Sequence, residues 1–464
     1  MPTLAAGQNR SRCAGAVDGQ DNCENECRSV SPYAALLPAI HNCEWRASML
    51  DSSVWPTNDY SRVPYRFYHD PSIYELERER VFKGPAWTLV GLEVEIPNPG
   101  DFRASYIGDE PIIIHRDANG KIHGFINRCA HRGAIVRREL QGNAKDHVCI
   151  YHQWCYGQDG GLIGVPFRRG LKGKGGYGKD FDPKNHGLTK VRIDSADGVL
   201  FGTMSDKAEP LNEYLGEAIL GFLSRVFRRP VEVIGYHRQR IRGNWKGFAE
   251  NTRDNYHASL LHDFFRTFGL DRPTQVGGAT MDKRHRHCVT WGRMENSHDA
   301  AKEAYGKEQV ASAGIQLKES SMVKYIPDRN DDISIAIGSL FPSSFFIQIS
   351  NSLATRQIRP RGPGEFEVFQ TLLGYQDDTP EMRQHRLRQA NLVGPAGFVS
   401  MEDGEAIEIV QRATKAAPND VQVLELGGKG AIQDCDFRIN DVPVRGFWSY
   451  YAELLGIEPA DGVR

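Results

Sequence analysis

The chain has 464 residues, a quarter of them charged, and a formal net charge of −2. That near balance gives no electrostatic basis for nucleic-acid binding, and the longest apolar runs are far too short to span a bilayer. The length suggests two or three domains with sizeable cores.

Residues 1–55 are rich in Ser, Asn, Ala and Gly, show no hydrophobic period, and are expected to form a disordered extension. Cys23 and Cys27 are spaced like metal ligands, but the set is incomplete. No apolar signal segment opens the chain. Nine cysteines, an odd number, read as reduced thiols of a cytoplasmic protein rather than a disulfide framework.

From Ser61 the chain reads as ordered. Within an N-terminal helical segment, 56–85, Asp70-Pro71-Ser72 before an amphipathic run predicts a capped helix with Pro in its first turn. Trp87 to Ile96 is strand-like. Pro111 to His115, a turn at Asn119-Gly120, and Ile122 to Ile126 read as a hairpin that leads into Cys129. A further turn, Gln158 to Gly161, follows His152. Residues 86–205 therefore read as a small antiparallel β domain with two loops at one end.

Those loops are Cys129-Ala130-His131 and Cys149-Ile150-Tyr151-His152. Two thiolates and two imidazoles suit a [2Fe-2S] cluster with Cys on one iron and His on the other. Replacing two charged thiolates with neutral imidazoles raises the potential to roughly −150 to +300 mV. Zinc is the competing reading. It is disfavoured because each loop carries one Cys and one His, and the first pair is separated by a single residue.

The basic, glycine-rich run Gly170 to Lys179 has P-loop spacing, but Gly176 stands where the essential Lys belongs. It reads as a surface loop, with docking of an acidic electron donor as the sharper alternative. Lys283 to Cys288 reads as a solvated charged strand or a subunit contact.

In residues 206–464, Glu250-Asn251-Thr252-Arg253-Asp254-Asn255-Tyr256-His257 runs on to His262. His257 and His262 fall on nearly one helical face, or across a slight break. With one carboxylate they would form a facial triad on mononuclear iron(II), leaving positions open for dioxygen. Asp254, one turn before His257, is placed to support a ligand imidazole. Ile333 to Ile337, Phe345 to Ile358 and Phe366 to Leu373 read as strands, and Pro380 to Ala390 and Glu402 to Thr414 as helices. The fold class is α+β, with an antiparallel sheet wrapped on helices in the second domain.

Together these motifs resemble the large (alpha) subunit of Rieske-type aromatic-ring-hydroxylating oxygenases, over residue 55 to the end. The cluster pattern matches at Cys129, His131, Cys149 and His152. The catalytic pattern matches at Glu250, Asp254, His257 and His262. The third iron ligand follows a Gly-Pro-Ala-Gly segment, here Gly394 to Gly397; register points to Asp403, with Glu402 the runner-up. The resemblance implies that Trp154 and Pro166 cover the cluster. It implies that Asn251, Leu392, Val393 and Val399 line the substrate pocket. It also implies that Asp254 links the iron of one subunit to the cluster of the next.

The stretches Ser61 to Arg66, Gly164 to Gly170 and Ser400 to Asp403 are similar to the benzoate-type branch, which includes terephthalate, anthranilate and ortho-halobenzoate dioxygenases and salicylate 5-hydroxylase. An aromatic carboxylate needs a buried cation, for which Arg is suited because its fork pairs both oxygens. Arg356 is the candidate, read as sharing a strand face with Gln348, Ser350 and Ser352; Arg445 is next. The resemblance implies a terminal oxygenase that uses dioxygen for cis-dihydroxylation, or alternatively for monohydroxylation. NADH electrons would arrive through a separate reductase and a ferredoxin, since no flavin or dinucleotide motif is present. A small beta subunit and an alpha3beta3 or alpha3 assembly are expected. A cluster-bearing electron carrier would leave Asp254, His257, His262 and Asp403 unexplained.

Overall fold

Period-two alternation of apolar residues builds two antiparallel sheets, seen in a computed structural model that describes residues 55–268, 270–272, 274–294, 320–395 and 397–459. The extension expected over residues 1–55 lies outside these, apart from Trp55. That residue is buried, stacks near Phe67 and Trp448, and donates its backbone N–H to Glu458.

The first sheet has seven strands. Their spatial order is Thr88–Leu92, Val199–Thr203, Lys190–Ala196, Ile122–Ile126, Glu110–Arg116, Asp101–Ile107 and Gln141–Asn143. The hairpin at Asn119-Gly120 forms as the sequence predicts, with Gly120 at φ 83°. A three-stranded sheet of His147–Val148, Cys155–Tyr156 and Leu162–Gly164 lies beside it in sequence and carries the second cysteine loop.

The second sheet also has seven strands. Their order is Val231–Ile241, Phe366–Tyr375, Ser352–Pro360, Ser344–Ile349, Ile333–Leu340, Cys288–Arg293 and Gly277–Met281. The single strand expected from Phe345 to Ile358 is in fact two. Ser350, at φ 52°, and Asn351 make a tight turn. Asn351 stabilises it by donating its backbone N–H to Gln389 and bonding the backbone of Ile326 through its side chain. The break moves Gln348 opposite Leu353, onto the face away from Arg356. The supposed common face of Arg356 and Gln348 is therefore wrong, although Ser352 stays on the Arg356 side.

Among the described residues the α-helices are α1 (Pro71–Glu77), α2 (Leu211–Phe227, kinked at Gly216), α3 (Trp245–Asn251), α4 (Asn255–Leu261), α5 (Asp263–Phe268), α6 (Pro380–Val393), α7 (Phe398–Lys415) and α8 (Val442–Leu455). Asp70 caps α1 as predicted, accepting from Ser72 N. One face of the second sheet, with Ala336, Leu340, Phe346, Leu353 and Leu373, packs on α2 and on Trp87, Leu89 and Phe201 of the first sheet. Gln357 ties the sheets further by donating to the carbonyls of Leu89 and Tyr106. Among the described residues no helix is long and apolar enough to cross a membrane.

One expectation about charged residues is corrected and another is met. Lys283 to His287 is a turn, not a solvated strand; Arg286 and His287 are buried within it. Arg286 pairs with Asp282 and Glu209, and His287 donates from Nε2 to Tyr214 O and accepts from Phe341 N at Nδ1. In contrast, Gly170 to Lys179 is an exposed surface loop except at Gly170 itself.

The segment ahead of the first sheet is locked to the second domain by a buried ion pair, Glu77 with Lys246, both inaccessible to solvent. Glu77 also accepts from Trp245 Nε1 at 2.7 Å and Tyr451 OH at 2.5 Å. Removing one member of such a pair strands the other charge, a loss of about 3–5 kcal/mol, whereas an apolar replacement of both is often neutral. Lys246→Met should therefore lower the thermal unfolding midpoint sharply, and Glu77→Gln/Lys246→Met, which removes both charges but keeps an amide oxygen to accept from Tyr451, should recover part of the loss. A double variant no more stable than the single one would refute this.

Candidate metal centres

The two cysteine loops are built alike. Each Cys carbonyl accepts from the N–H four residues on, Gly133 or Gln153, and each Cys N–H donates to the carbonyl five residues on, Ala134 or Trp154. The residue that turns each loop has positive φ, 71° at Gly133 and 55° at Gln153. Repeated geometry turns two short sequences towards one point. Cys129 and Cys149 are buried free thiols. The rings of His131 and His152 lie 4.6 Å apart, and buried Nδ1 of His131 has no hydrogen-bond partner among the described residues. Two thiols, two imidazoles and an unsatisfied ring nitrogen fit a [2Fe-2S] cluster. Trp154 stacks on His131 at 4.9 Å, whereas Pro166 is exposed. Tyr156, not anticipated from sequence, places its OH 3.1 Å from Cys129 Sγ and accepts from Ala130 N.

The second site draws on α3, α4, the residue after α4, and α7. Asp254 caps α4, its Oδ1 accepting from Tyr256 N and His257 N. Its Oδ2 stands 3.3 Å from His257 Nδ1, too far off the N–H direction to bond. His262 ends the helix at φ −89°, ψ 75°. The break turns its ring towards Asp403, so the second of the two helical alternatives holds. Gly397 lets α7 start against the end of α6, because any Cβ there would strike the carbonyls of Leu392 and Asn391.

Asp403 Oδ1 lies 3.5 Å from His257 Nε2 and 3.2 Å from His262 Nε2. His257, His262 and Asp403 offer one ligand atom each within 4.8 Å of one another. Burial opposes ionisation of Asp403, but the two imidazoles outweigh it and hold the carboxyl well below its usual range. The donor set fits a divalent iron with open positions. Glu402 is not the third member. Its Oε2 contacts His262 Nδ1 at 2.7 Å and orients that ring from behind. Asn251 Nδ2 donates to Asp403 Oδ1 at 3.0 Å and lies 3.1 Å from His257 Nε2. Glu250 is structural glue. It accepts from Tyr68, Gln422 and Trp448, and burial lifts its carboxyl to about 7.

Above this triad lies a cavity lined by Asn251, Phe265, Ile335, Ile337, Ile347, Ile349, Val399 and Arg356, among others. The strand residues come from one face by register, since Ile335 opposes Ile349 and Ile337 opposes Ile347. Arg356 is buried, and it donates to Gln370 Oε1 at 3.0 Å, and to Val393 O and Ser400 Oγ at 3.2 Å each. No carboxylate pairs with it among the described residues. Burial lowers its guanidinium to about 10, so it remains a cation at neutral pH.

Three pocket expectations fail. Leu392 and Val393 are buried in the last turn of α6 and do not line the cavity; Val393 contributes only its carbonyl to Arg356. Arg445, the reserve candidate, is buried in α8 and holds the carbonyls of Asp59, Gly428 and Gly430. Gln370 was not anticipated, and Glu402 was anticipated only as an alternative iron ligand, not as the partner of His262 Nδ1. Nothing in the sequence marked Gln370.

The two sites define a class of protein: an iron oxygenase in which a Rieske cluster passes single electrons to a mononuclear iron. Comparisons with known proteins agree. Residues 86–173 match the family model for a Rieske [2Fe-2S] domain, and residues 228–457 match the ring-hydroxylating alpha subunit catalytic domain. The large subunit of anthranilate 1,2-dioxygenase from Burkholderia cepacia is 42% identical over 405 residues, covering 87% of this chain and 95% of the relative. The large oxygenase component of salicylate 5-hydroxylase from Ralstonia sp. is 41% identical over 415 residues, covering 87% and 96%. The fold matches naphthalene 1,2-dioxygenase from Rhodococcus sp. with a TM-score of 0.68 at 23% identity, over 85% and 94% of the two chains. The chain belongs to the family of ring-hydroxylating oxygenase alpha subunits. It is a terminal oxygenase component with a [2Fe-2S] cluster and a mononuclear iron, and its electrons come from a reductase partner.

Proposed function

We propose that the substrate is a benzoate-type aromatic acid whose carboxylate is held by Arg356, and that ring cis-dihydroxylation is the reaction. The observation that carries this reading is a buried cation without a counter-ion among the described residues, lining the same cavity as the His257, His262 and Asp403 set. The names of the anthranilate and salicylate relatives support it.

In this reading Cys129, Cys149, His131 and His152 hold the cluster, and His257, His262 and Asp403 hold the iron. The bound iron supplies dioxygen activation and the cluster supplies single electrons. Arg356 anchors one end of the ring and so fixes which carbons face the metal site. The isoleucine wall and Val399 exclude water. Asn251 and Glu402 hold Asp403 and His262 in place, and Asp254 faces His257 from outside.

Further partners belong to the proposal: a ferredoxin, a small beta subunit, an alpha3beta3 or alpha3 assembly, and a cytoplasmic location. Exposed Ile150, Tyr151, Ile163 and Phe167 near the cluster loops support contact with another copy. So does a recess of about 270 Å³ beside Asp254 and His257, lined by Leu261, Ile407, Val410 and Leu424. Monohydroxylation is the second reading, favoured by the salicylate 5-hydroxylase relative.

The test is turnover with NADH and donor proteins on anthranilate, salicylate, terephthalate and ortho-halobenzoates, against naphthalene and toluene, under ¹⁸O₂. Acids should be consumed with two labelled atoms incorporated; a single atom favours monohydroxylation. Turnover of the hydrocarbons alone would overturn the reading.

A further inference from the structure

Most buried arginines here face carboxylates. Arg386 pairs with Asp328 and Asp378, Arg438 with Asp271, Arg103 with Glu95, and Arg286 with Asp282 and Glu209. Arg253 and Arg445 bond only carbonyls, but neither lines the iron site cavity. Arg356 differs from both groups. It lines that cavity, and the side chain set against its Nε is a neutral amide.

That amide is Gln370, directly opposite Arg356 in strand register and 2% exposed. An arginine Nε can only donate, so Gln370 must present Oε1 to it, which fixes the orientation of the amide. Nε2 is thereby forced to the other side, where it is buried without a partner among the described residues. Leaving such a donor unsatisfied is costly in a buried site. A glutamate here would leave no orphan donor and would neutralise the guanidinium. His237, next along the same register row, is kept neutral by burial and by the charge of Arg356, so it adds no second cation, and an imidazole offers no negative charge. Asp403, whose charge Arg356 does feel, lies beyond ion-pair distance and is directed at the two imidazoles.

We propose that Gln370 is a specificity-determining residue: it aims the Arg356 fork through Nε while leaving its charge uncompensated, so that the site selects an anionic substrate. This rests on the reading of Arg356 as the carboxylate anchor. Gln370 acts through Arg356 and is a positioning residue.

The test is calorimetric binding of benzoate and of benzamide, its neutral isostere, to the holoenzyme. Gln370→Glu supplies an internal counter-ion. It should weaken benzoate at least about tenfold and change benzamide by less than about twofold. Gln370→Met removes the aim but adds no charge, and should weaken benzoate by a smaller factor with benzamide again unaffected. Cluster absorbance and iron content report whether each variant folds. If Gln370→Glu fails to fold, Gln370→Met decides. Unchanged benzoate affinity, or equal losses for both probes, would overturn the proposal. Arg356→Leu separates the two levels. If it costs benzoate affinity while neither Gln370 variant does, only the role of Gln370 fails. A wild-type enzyme with no preference for benzoate over benzamide would sink both readings.

Discussion

Replacing Arg356 with Leu is expected to lower kcat/KM for aromatic acids by roughly thirty- to several-thousand-fold, while leaving the protein as stable as before or more so. The first half follows from truncating one partner of a buried, hydrogen-bonded charge pair, which costs about 2–5 kcal/mol, at about 1.4 kcal/mol per factor of ten. The second half follows from the absence of a carboxylate beside Arg356 among the described residues. A buried cation held only by an amide, a carbonyl and a hydroxyl is expensive to desolvate, and an apolar replacement removes that cost. A residue that destabilises the free enzyme and supports only turnover is the signature of a functional site. Lys should rescue partly, because it keeps the charge but lacks the planar fork. A methyl ester of the same acid should lose little. The measurements are kcat/KM on acid and ester, thermal unfolding, and iron and cluster content. A clear drop in the unfolding midpoint with equal losses on acid and ester would make Arg356 a structural residue.

What the sequence disclosed divides along a physical line. Candidate ligand residues were legible because metals demand particular atoms at short spacings, and the chain must supply them in local motifs. Cys129 with His131, Cys149 with His152, and His257 with His262 sit on single loops or one broken helix, so spacing alone located them. The choice between Glu402 and Asp403 was not settled by spacing. Adjacent residues on a helix point about 100° apart, and only the docking of α7 shows which one faces the histidines and which one stands behind His262. The pocket was less legible because its wall comes from strands brought together by register. Ile335, Ile337, Ile347 and Ile349 carry no chemical mark that separates them from core residues. Arg356 was singled out for its charge, but by a strand argument that fails at Ser350-Asn351, where side-chain bonds to distant backbone stabilise a turn. Gln370 is the furthest case. Its meaning lies in which residue it opposes, and in being an amide where a carboxylate would be the default partner.

The second large effect is expected at Asp254, and Asn rather than Ala is the informative replacement. Asp254 makes one local bond set and one close approach in the structure. Oδ1 caps α4, and Oδ2 faces His257 Nδ1 at 3.3 Å. Asn caps a helix about as well as Asp, so Asp254→Asn should keep the helix, the fold and both metal sites. Asn cannot replace the second oxygen. With its carbonyl oxygen committed to the cap, its amide N–H₂ would stand where Oδ2 was, presenting a donor to a ring N–H. If the carboxylate joins His257 to a cluster histidine of a neighbouring copy, as the family resemblance implies, it must accept from both rings, and the amide cannot. Losing an outer partner of a metal ligand typically costs about 10–100-fold, and losing the only electron route should cost at least the upper end of that range. Turnover should therefore fall at least about a hundredfold in Asp254→Asn. Cluster absorbance, iron content and oligomeric state should remain unchanged. In a single-turnover experiment with pre-reduced enzyme and substrate, reoxidation of the cluster should slow in parallel with product formation. Near-normal turnover in Asp254→Asn alongside an inactive Asp254→Ala would instead assign the residue to the helix cap alone and remove the bridge from the mechanism.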